Sequence, residues 1–143
     1  MYLDEINLNM KIDIPPVVID KEQMLDFSNK YNPIPIHCDE LYAKQTKFGR
    51  VIASGYMSFL AVWAEFMKND IFGEQLIAGK SSKIEWFRPV FADDVLTGTV
   101  TVTNITRRND YNGIAEITIE ILNQENELVL TNITESIVKY HHD

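Results

Sequence analysis

The residues best suited to chemistry fall in one stretch. Asn32-Pro33-Ile34-Pro35-Ile36-His37-Cys38-Asp39 is followed shortly by Phe48-Gly49-Arg50-Val51-Ile52-Ala53-Ser54-Gly55. Two prolines fix backbone dihedrals just ahead of His37, so its imidazole is expected on a rigid extended segment. Rigid placement is what a general acid or base requires. Gly55 opens an apolar run of helical character. The first amides of a helix have no internal acceptors, and the helix dipole favours negative charge there. A glycine at that point lets a ligand carbonyl approach the backbone, where an amide could stabilise an enolate oxygen. Ser54 reads as the cap of that helix rather than as a nucleophile, since the pattern places no second base beside it. Cys38 reads as a small apolar residue, because neighbours in an extended stretch point opposite ways.

These residues need elements to hold them. Met10 to Ile19 reads as an extended arm interrupted by Pro15 and Pro16. Asp20 can cap a short helix with Gln23 three positions on, and Met24, Phe27 and Tyr31 then share one face. That helix must stop before Asn32-Pro33, because proline disfavours helical geometry in the residue ahead of it. Asp39 can cap a second short helix carrying Leu41, Tyr42 and Ala43. The run from Ser54 to Met67 is apolar almost all round, which predicts a helix buried in the core.

From Ala78 the pattern changes to period two. Ala115, Ile117, Ile119 and Ile121 alternate with Glu116, Thr118 and Glu120, describing a strand with one buried face. Val100 and Val102 suggest another strand, and Leu128 to Tyr140 a third. Turn-rich segments at Asn109–Gly113 and Asn123–Asn126 imply antiparallel connections. The fold class expected is therefore α+β, with an antiparallel sheet wrapped around a long helix.

The chain has 143 residues, 45% of them apolar, and a formal net charge of -8. Its length and uniform composition predict one domain spanning 1–143. The negative charge argues against nucleic acid, which demands clustered cations, and weakly against anionic membrane. One cysteine allows neither an internal disulfide nor a thiolate zinc cluster, and no metal or cofactor is expected. No signal-like or membrane-spanning segment is evident, and a cytoplasmic protein is the expectation. His141 and His142 read as solvated tail residues.

The pattern Tyr-x-Pro-x-Pro-Ile-His-x-Asp (31–39), then Phe-Gly-x-x-Ile-Ala-Ser-Gly (48–55), resembles the signature of MaoC-like dehydratases and (R)-specific enoyl-CoA hydratases. Trp86-Phe87-Arg88-Pro89-Val90-Phe91-Ala92-Asp93-Asp94-Val95-Leu96 is similar to the family's Arg/Phe-x-x-Pro-Val-x-x-Gly-Asp-x-Leu segment. The resemblance covers roughly Asp20 to Tyr140.

The resemblance implies a single hot-dog fold, a homodimer or higher oligomer, and syn hydration of a trans-2-enoyl thioester or the reverse dehydration. His37 takes the place of the family's histidine and Gly55 that of its oxyanion donor. The family's aspartate, five residues before the histidine, is here Asn32, which cannot accept a proton but can orient water. Around the acyl-CoA or acyl-thioester substrate, Ser54, Pro35, Arg50 and Arg88 are expected, with Lys47 and Lys80 as further phosphate contacts. Three readings follow from Asn32: a slow hydratase with His37 as sole base, an enzyme for a substrate that needs one base, or a thioester-binding module or partner subunit without turnover. A thioesterase ranks below these, since neither Ser54 nor Gly55 supplies a carboxylate at the helix start.

Overall fold

The computed structural model describes residues 1–141 and builds on the local signals almost in sequence order. After a 3-10 turn at Leu3–Glu5, strand β1 (Lys11–Val18) leads into helix α1 (Lys21–Tyr31). Asp20 caps α1 by accepting the Gln23 N–H at 3.0 Å. The helix ends at Asn32, ahead of Pro33, as the proline requires. Met24 is buried and Phe27 partly so, whereas Tyr31 stays exposed and stacks at a tilt against Phe27.

Two short helices follow, α2 (Pro35–Cys38) and α3 (Glu40–Lys44). Asp39 caps α3 through the Tyr42 N–H at 3.0 Å. His37 therefore sits in a helical turn and not on the expected extended segment. Pro35 explains this: at the first turn of a helix its missing N–H costs nothing and its fixed φ suits the helix. The same turn brings the Cys38 thiol to the Ile34 carbonyl at 3.3 Å, so the alternating geometry expected of Cys38 and His37 does not hold.

Helix α4 (Gly55–Lys68) lies across one face of a five-stranded antiparallel sheet formed by β1, β2 (Leu76–Trp86), β3 (Val95–Arg107), β4 (Asn112–Leu122) and β5 (Leu128–Lys139), in the order β1-β3-β4-β5-β2. Val62 and Phe66 of α4 are buried with Val100, Val102, Ile117, Ile119 and Leu130 of the strands. Each such side chain contributes about 1.5–3 kcal/mol by leaving water. Gly98 on β3 permits the approach: a side chain there would lie 3.0 Å from Val62 Cγ1. The alternation along β4 is as expected, with Ala115, Ile117, Ile119 and Ile121 inward. Asn109 Oδ1 accepts the N–H groups of Tyr111 and Asn112 in the first turn, which is how a short polar side chain stabilises a reversal.

Three expectations change. The proline-interrupted arm is a paired strand, and Pro15-Pro16 fall where the β1–β3 register shifts between Ile14 and Val17. Strand β2 shows no period-two burial and is exposed along almost its whole length, because α4 packs mainly over β1 and β3. Helix α4 is not buried all round: Tyr56 is 54% and Leu60 45% exposed, because a single sheet covers only one side of it. Side chains staple the exposed edge to its neighbour. Asn132 of β5 donates to Ser82 Oγ at 2.8 Å and accepts from Thr134 Oγ1 at 2.6 Å. Among the described residues, no helix is long and apolar enough to cross a membrane.

Candidate active site

A cleft of about 430 Å³ opens where α1 ends, α2 begins, α4 starts and β2 finishes; Asn32, His37, Phe48, Gly55, Trp86 and Arg88 are among the residues that line it. Three residues singled out for chemistry thus share one cavity. Asn32, His37 and Gly55 are each half-buried, sheltered from bulk water yet reachable.

The His37 ring is oriented by the backbone. Its Nδ1 lies 2.9 Å from the Ile52 carbonyl oxygen, which can only accept, so Nδ1 carries the proton. Neutral His37 then presents Nε2 as a bare base. Among the described residues Nε2 has no protein partner. Ile52 is itself tied back, its N–H donating to the Ile36 carbonyl at 3.2 Å, so the loop that holds the ring is held by the helix that carries it.

Asn32 is fixed by a bond across 22 residues: its Nδ2 donates to Ser54 Oγ at 2.9 Å. That leaves Oδ1 with no protein donor among the described residues. Ser54 was expected to cap α4 with its side chain, and it does not: the hydroxyl makes no cap bond and serves Asn32 instead. The first N–H groups of α4 are therefore left without a side-chain acceptor from Ser54, which keeps the positive end of the helix available to a ligand.

Gly55 has an additional reason to be glycine. The Trp86 indole occupies the space a side chain would need, with Nε1 2.2 Å from an ideal Cβ position. Tyr56 meets Trp86 edge-on at a centroid distance of 5.2 Å. In the sequence Trp86 and Phe48 stand out only as members of longer motifs, and Tyr56 and Ser58 of the cleft wall fall within the run read as a buried helix. Their only sequence signal was size and polarity, which core residues share.

The other candidates separate. Arg88 lines the cleft and pairs with Glu127 at 3.2 Å. The Asn123 amide, and after it the Arg88 charge, hold the Glu127 carboxyl below its ordinary range. Arg50 lies in a neighbouring hollow of about 220 Å³ with Lys21, Lys44 and Glu40. Its guanidinium is 4.0 Å from the Phe91 ring centroid. There the Lys21 hydrogen bond and charge, aided by Lys44, hold Glu40 below its usual range. Pro35 starts α2 without lining the cleft, Lys47 lies over Phe48, and Lys80 pairs with Glu135 at 3.7 Å away from the site. His141 is exposed, as a solvated tail residue should be, yet it is tied down: its backbone and ring nitrogens both reach Asp4, and the ring packs on Tyr2. His142 lies outside the described residues.

Asp93, where the resembled segment has glycine, takes a left-handed backbone at φ 71. The turn it belongs to is built by Asp94, whose Oδ2 accepts the Phe91 N–H at 2.8 Å.

Comparison with known proteins bears on this geometry. The model of a family described as "MaoC like domain" matches residues 5–123. YdeM of Bacillus subtilis, an uncharacterized protein, is 24% identical over 140 residues, 97% of this chain and 99% of its own. Among solved structures, an Archaeoglobus protein named as a monoamine oxidase regulatory protein superposes with a TM-score of 0.94 at 24% identity, over 99% of this chain and 96% of that one. A MaoC-like dehydratase from Rhodospirillum rubrum superposes at 0.83 and 23% identity, over 100% and 99%. Other neighbours of the same fold are named as (R)-hydratases or described as a double hot-dog.

Proposed function

We propose, since the chain belongs to the MaoC-like domain family, that it is an (R)-specific enoyl-thioester hydratase working through His37, Asn32 and Gly55. The observation that carries this is the His37 ring, fixed through Nδ1 at 2.9 Å so that a bare Nε2 shares one cleft with the Gly55 helix start. In the hydration direction Asn32 Oδ1 accepts a hydrogen bond from the attacking water and holds it near His37. Nε2 takes the water proton as the C–O bond forms at the β-carbon. The Gly55 N–H stabilises the negative charge that develops on the thioester oxygen. The imidazolium then returns its proton to the α-carbon, leaving a 3-hydroxyacyl thioester and neutral His37. Dehydration is the same path reversed.

Arg88 and the Lys21, Lys44 and Arg50 group are the cations best placed for the phosphates of a CoA or carrier-linked thioester. The lone cysteine and negative charge suit a cytoplasmic setting. Exposure of Tyr56, Leu60, Ile77 and Ile133 around α4 and β2 supports a homodimer formed through that side. A monomer by analytical ultracentrifugation at micromolar concentration would count against the dimer.

A second reading, a thioester-binding module without turnover, is favoured by Asn32 itself, which has no basic atom. Loss of the conjugated-thioester absorbance with crotonyl-CoA separates the two. Hydration that His37→Ala removes supports the hydratase. No turnover by folded protein with short, medium or branched enoyl-CoA, alongside tight acyl-CoA binding by calorimetry, supports the module.

A further inference from the structure

The contact between Trp86 and Gly55 does more than exclude a side chain. An ideal Cβ on Gly55 would lie 2.2 Å from Nε1, 2.5 Å from Cε2 and 2.7 Å from Cδ1. Nearly equal distances to three consecutive ring atoms mean that the ring face covers the glycine. An edge-on approach would leave the two carbons well behind the nitrogen. The indole is thus a flat apolar wall beside the first amide of α4.

That wall is anchored at its base. Trp86 pairs with Leu130 in the β2–β5 ladder, and the next residue, Phe87, donates its N–H to the Val129 carbonyl at 2.8 Å. Core packing does not account for the large side chain, since Trp86 remains 45% exposed while Val90, in the same cleft wall, is buried. A large aromatic on a fixed strand, lying at the start of α4 and lining the cleft, is placed to touch what enters it.

Resting on the hydratase reading, we propose that Trp86 is a specificity-determining residue that restricts the site to short, unbranched 2-enoyl thioesters. The Gly55 amide fixes the carbonyl, so the acyl carbons beyond it must run along whatever flanks that amide. The indole closes that flank, and Phe48, Phe87 and Val129 are among the apolar residues that line the cleft with it.

The test compares wild type, Trp86→Phe and Trp86→Ala on crotonyl-, hexenoyl-, octenoyl- and a 4-methyl-branched enoyl-CoA. Pocket discrimination between neighbouring chain lengths runs at roughly 10–200-fold. The ratio of octenoyl to crotonyl kcat/KM should rise at least about tenfold in Trp86→Ala, with Trp86→Phe between. An equal change for all four substrates overturns the proposal, since a residue that merely supports the helix start would alter them together. Calorimetry with butyryl- and octanoyl-CoA gives a readout without turnover: wild type should prefer butyryl, and Trp86→Phe should narrow the preference. If turnover is absent but this preference holds and responds to position 86, the hydratase reading fails and the role of Trp86 stands. If wild type shows no preference, the role of Trp86 fails whatever the turnover.

Discussion

The side-chain amide of Asn32 donates to the hydroxyl of Ser54 at 2.9 Å, joining the end of α1 to the residue before α4. A carboxylate at position 32 would find the same hydroxyl ready to donate in the opposite sense, because Ser54 can either give or accept a proton. Asn32→Asp should therefore keep the local geometry and add a second base. General-base assistance is worth about 10²–10⁴-fold. We expect kcat for crotonyl-CoA hydration to rise by at least the lower end of that range, about 10²-fold. Stopped-flow absorbance checks it, and Ser54→Ala in the same background should give back part of the gain. An unchanged rate would show that this cleft does not hold water as a hydratase does.

Gly55→Ala tests whether the indole or the ligand demands glycine. In the native protein the new methyl meets Trp86 at 2.2 Å, and overpacking of this kind costs about 1–3 kcal/mol. In a Trp86→Ala background the clash is gone, and urea unfolding should find the cost of Gly55→Ala below about 1 kcal/mol. An equal cost in both backgrounds would mean that the two residues do not compete for space.

Asp93 is held at φ 71, a conformation that L side chains adopt at a cost. Glycine pays no such cost, though it loses more freedom on folding. The net expectation for Asp93→Gly is a stabilisation on the order of 0.5–1 kcal/mol, and for Asp93→Ala a loss of similar size. Denaturant midpoints for the two variants should fall on opposite sides of wild type.

Asp4 ties the first turn to the end of β5. Its carboxylate accepts the His141 N–H at 3.0 Å and lies 2.8 Å from the ring Nδ1. The His141 backbone bond, followed by its side-chain bond, holds the Asp4 carboxyl below its ordinary value of 3.8. A depressed carboxyl contributes stability above its unfolded pKa and loses it as pH falls through the folded one. Wild type should therefore melt above Asp4→Asn near neutral pH, and the two should converge as the solution is acidified below the ordinary carboxylate range. A difference independent of pH would locate the effect elsewhere.

What the sequence made legible was local. Asp20 and Asp39 announce helix starts because a cap acts within three residues, and Asn32-Pro33 announces a stop because the clash is with the next ring. The alternation in β4 reports burial directly. The helical turn at His37 was concealed because Pro35 serves an extended segment and a first helical turn equally well. The exposure of Tyr56 and Leu60 was concealed because an apolar helix surface looks the same whether its own chain or another covers it. Asn32 could be aligned with the family's aspartate, but its bond to Ser54 spans two segments and no periodicity reports it. The Trp86–Gly55 contact is of the same kind, as is the pairing of His141 with Asp4. Arg50 was grouped with Arg88 on charge alone, and the fold sends the two to different hollows.

The two rims of the sheet are chemically unequal. On β1, Pro15 and Pro16 carry no N–H at the bulge between Ile14 and Val17, so the ladder that β1 offers an approaching strand is interrupted there. On β2 the backbone runs from Leu76 to Trp86 with no proline. Copies that associate by sheet extension have only that one rim to offer. Two chains meeting there use up both open rims and present prolines at either end, so growth terminates at a pair and has no route to a fibre.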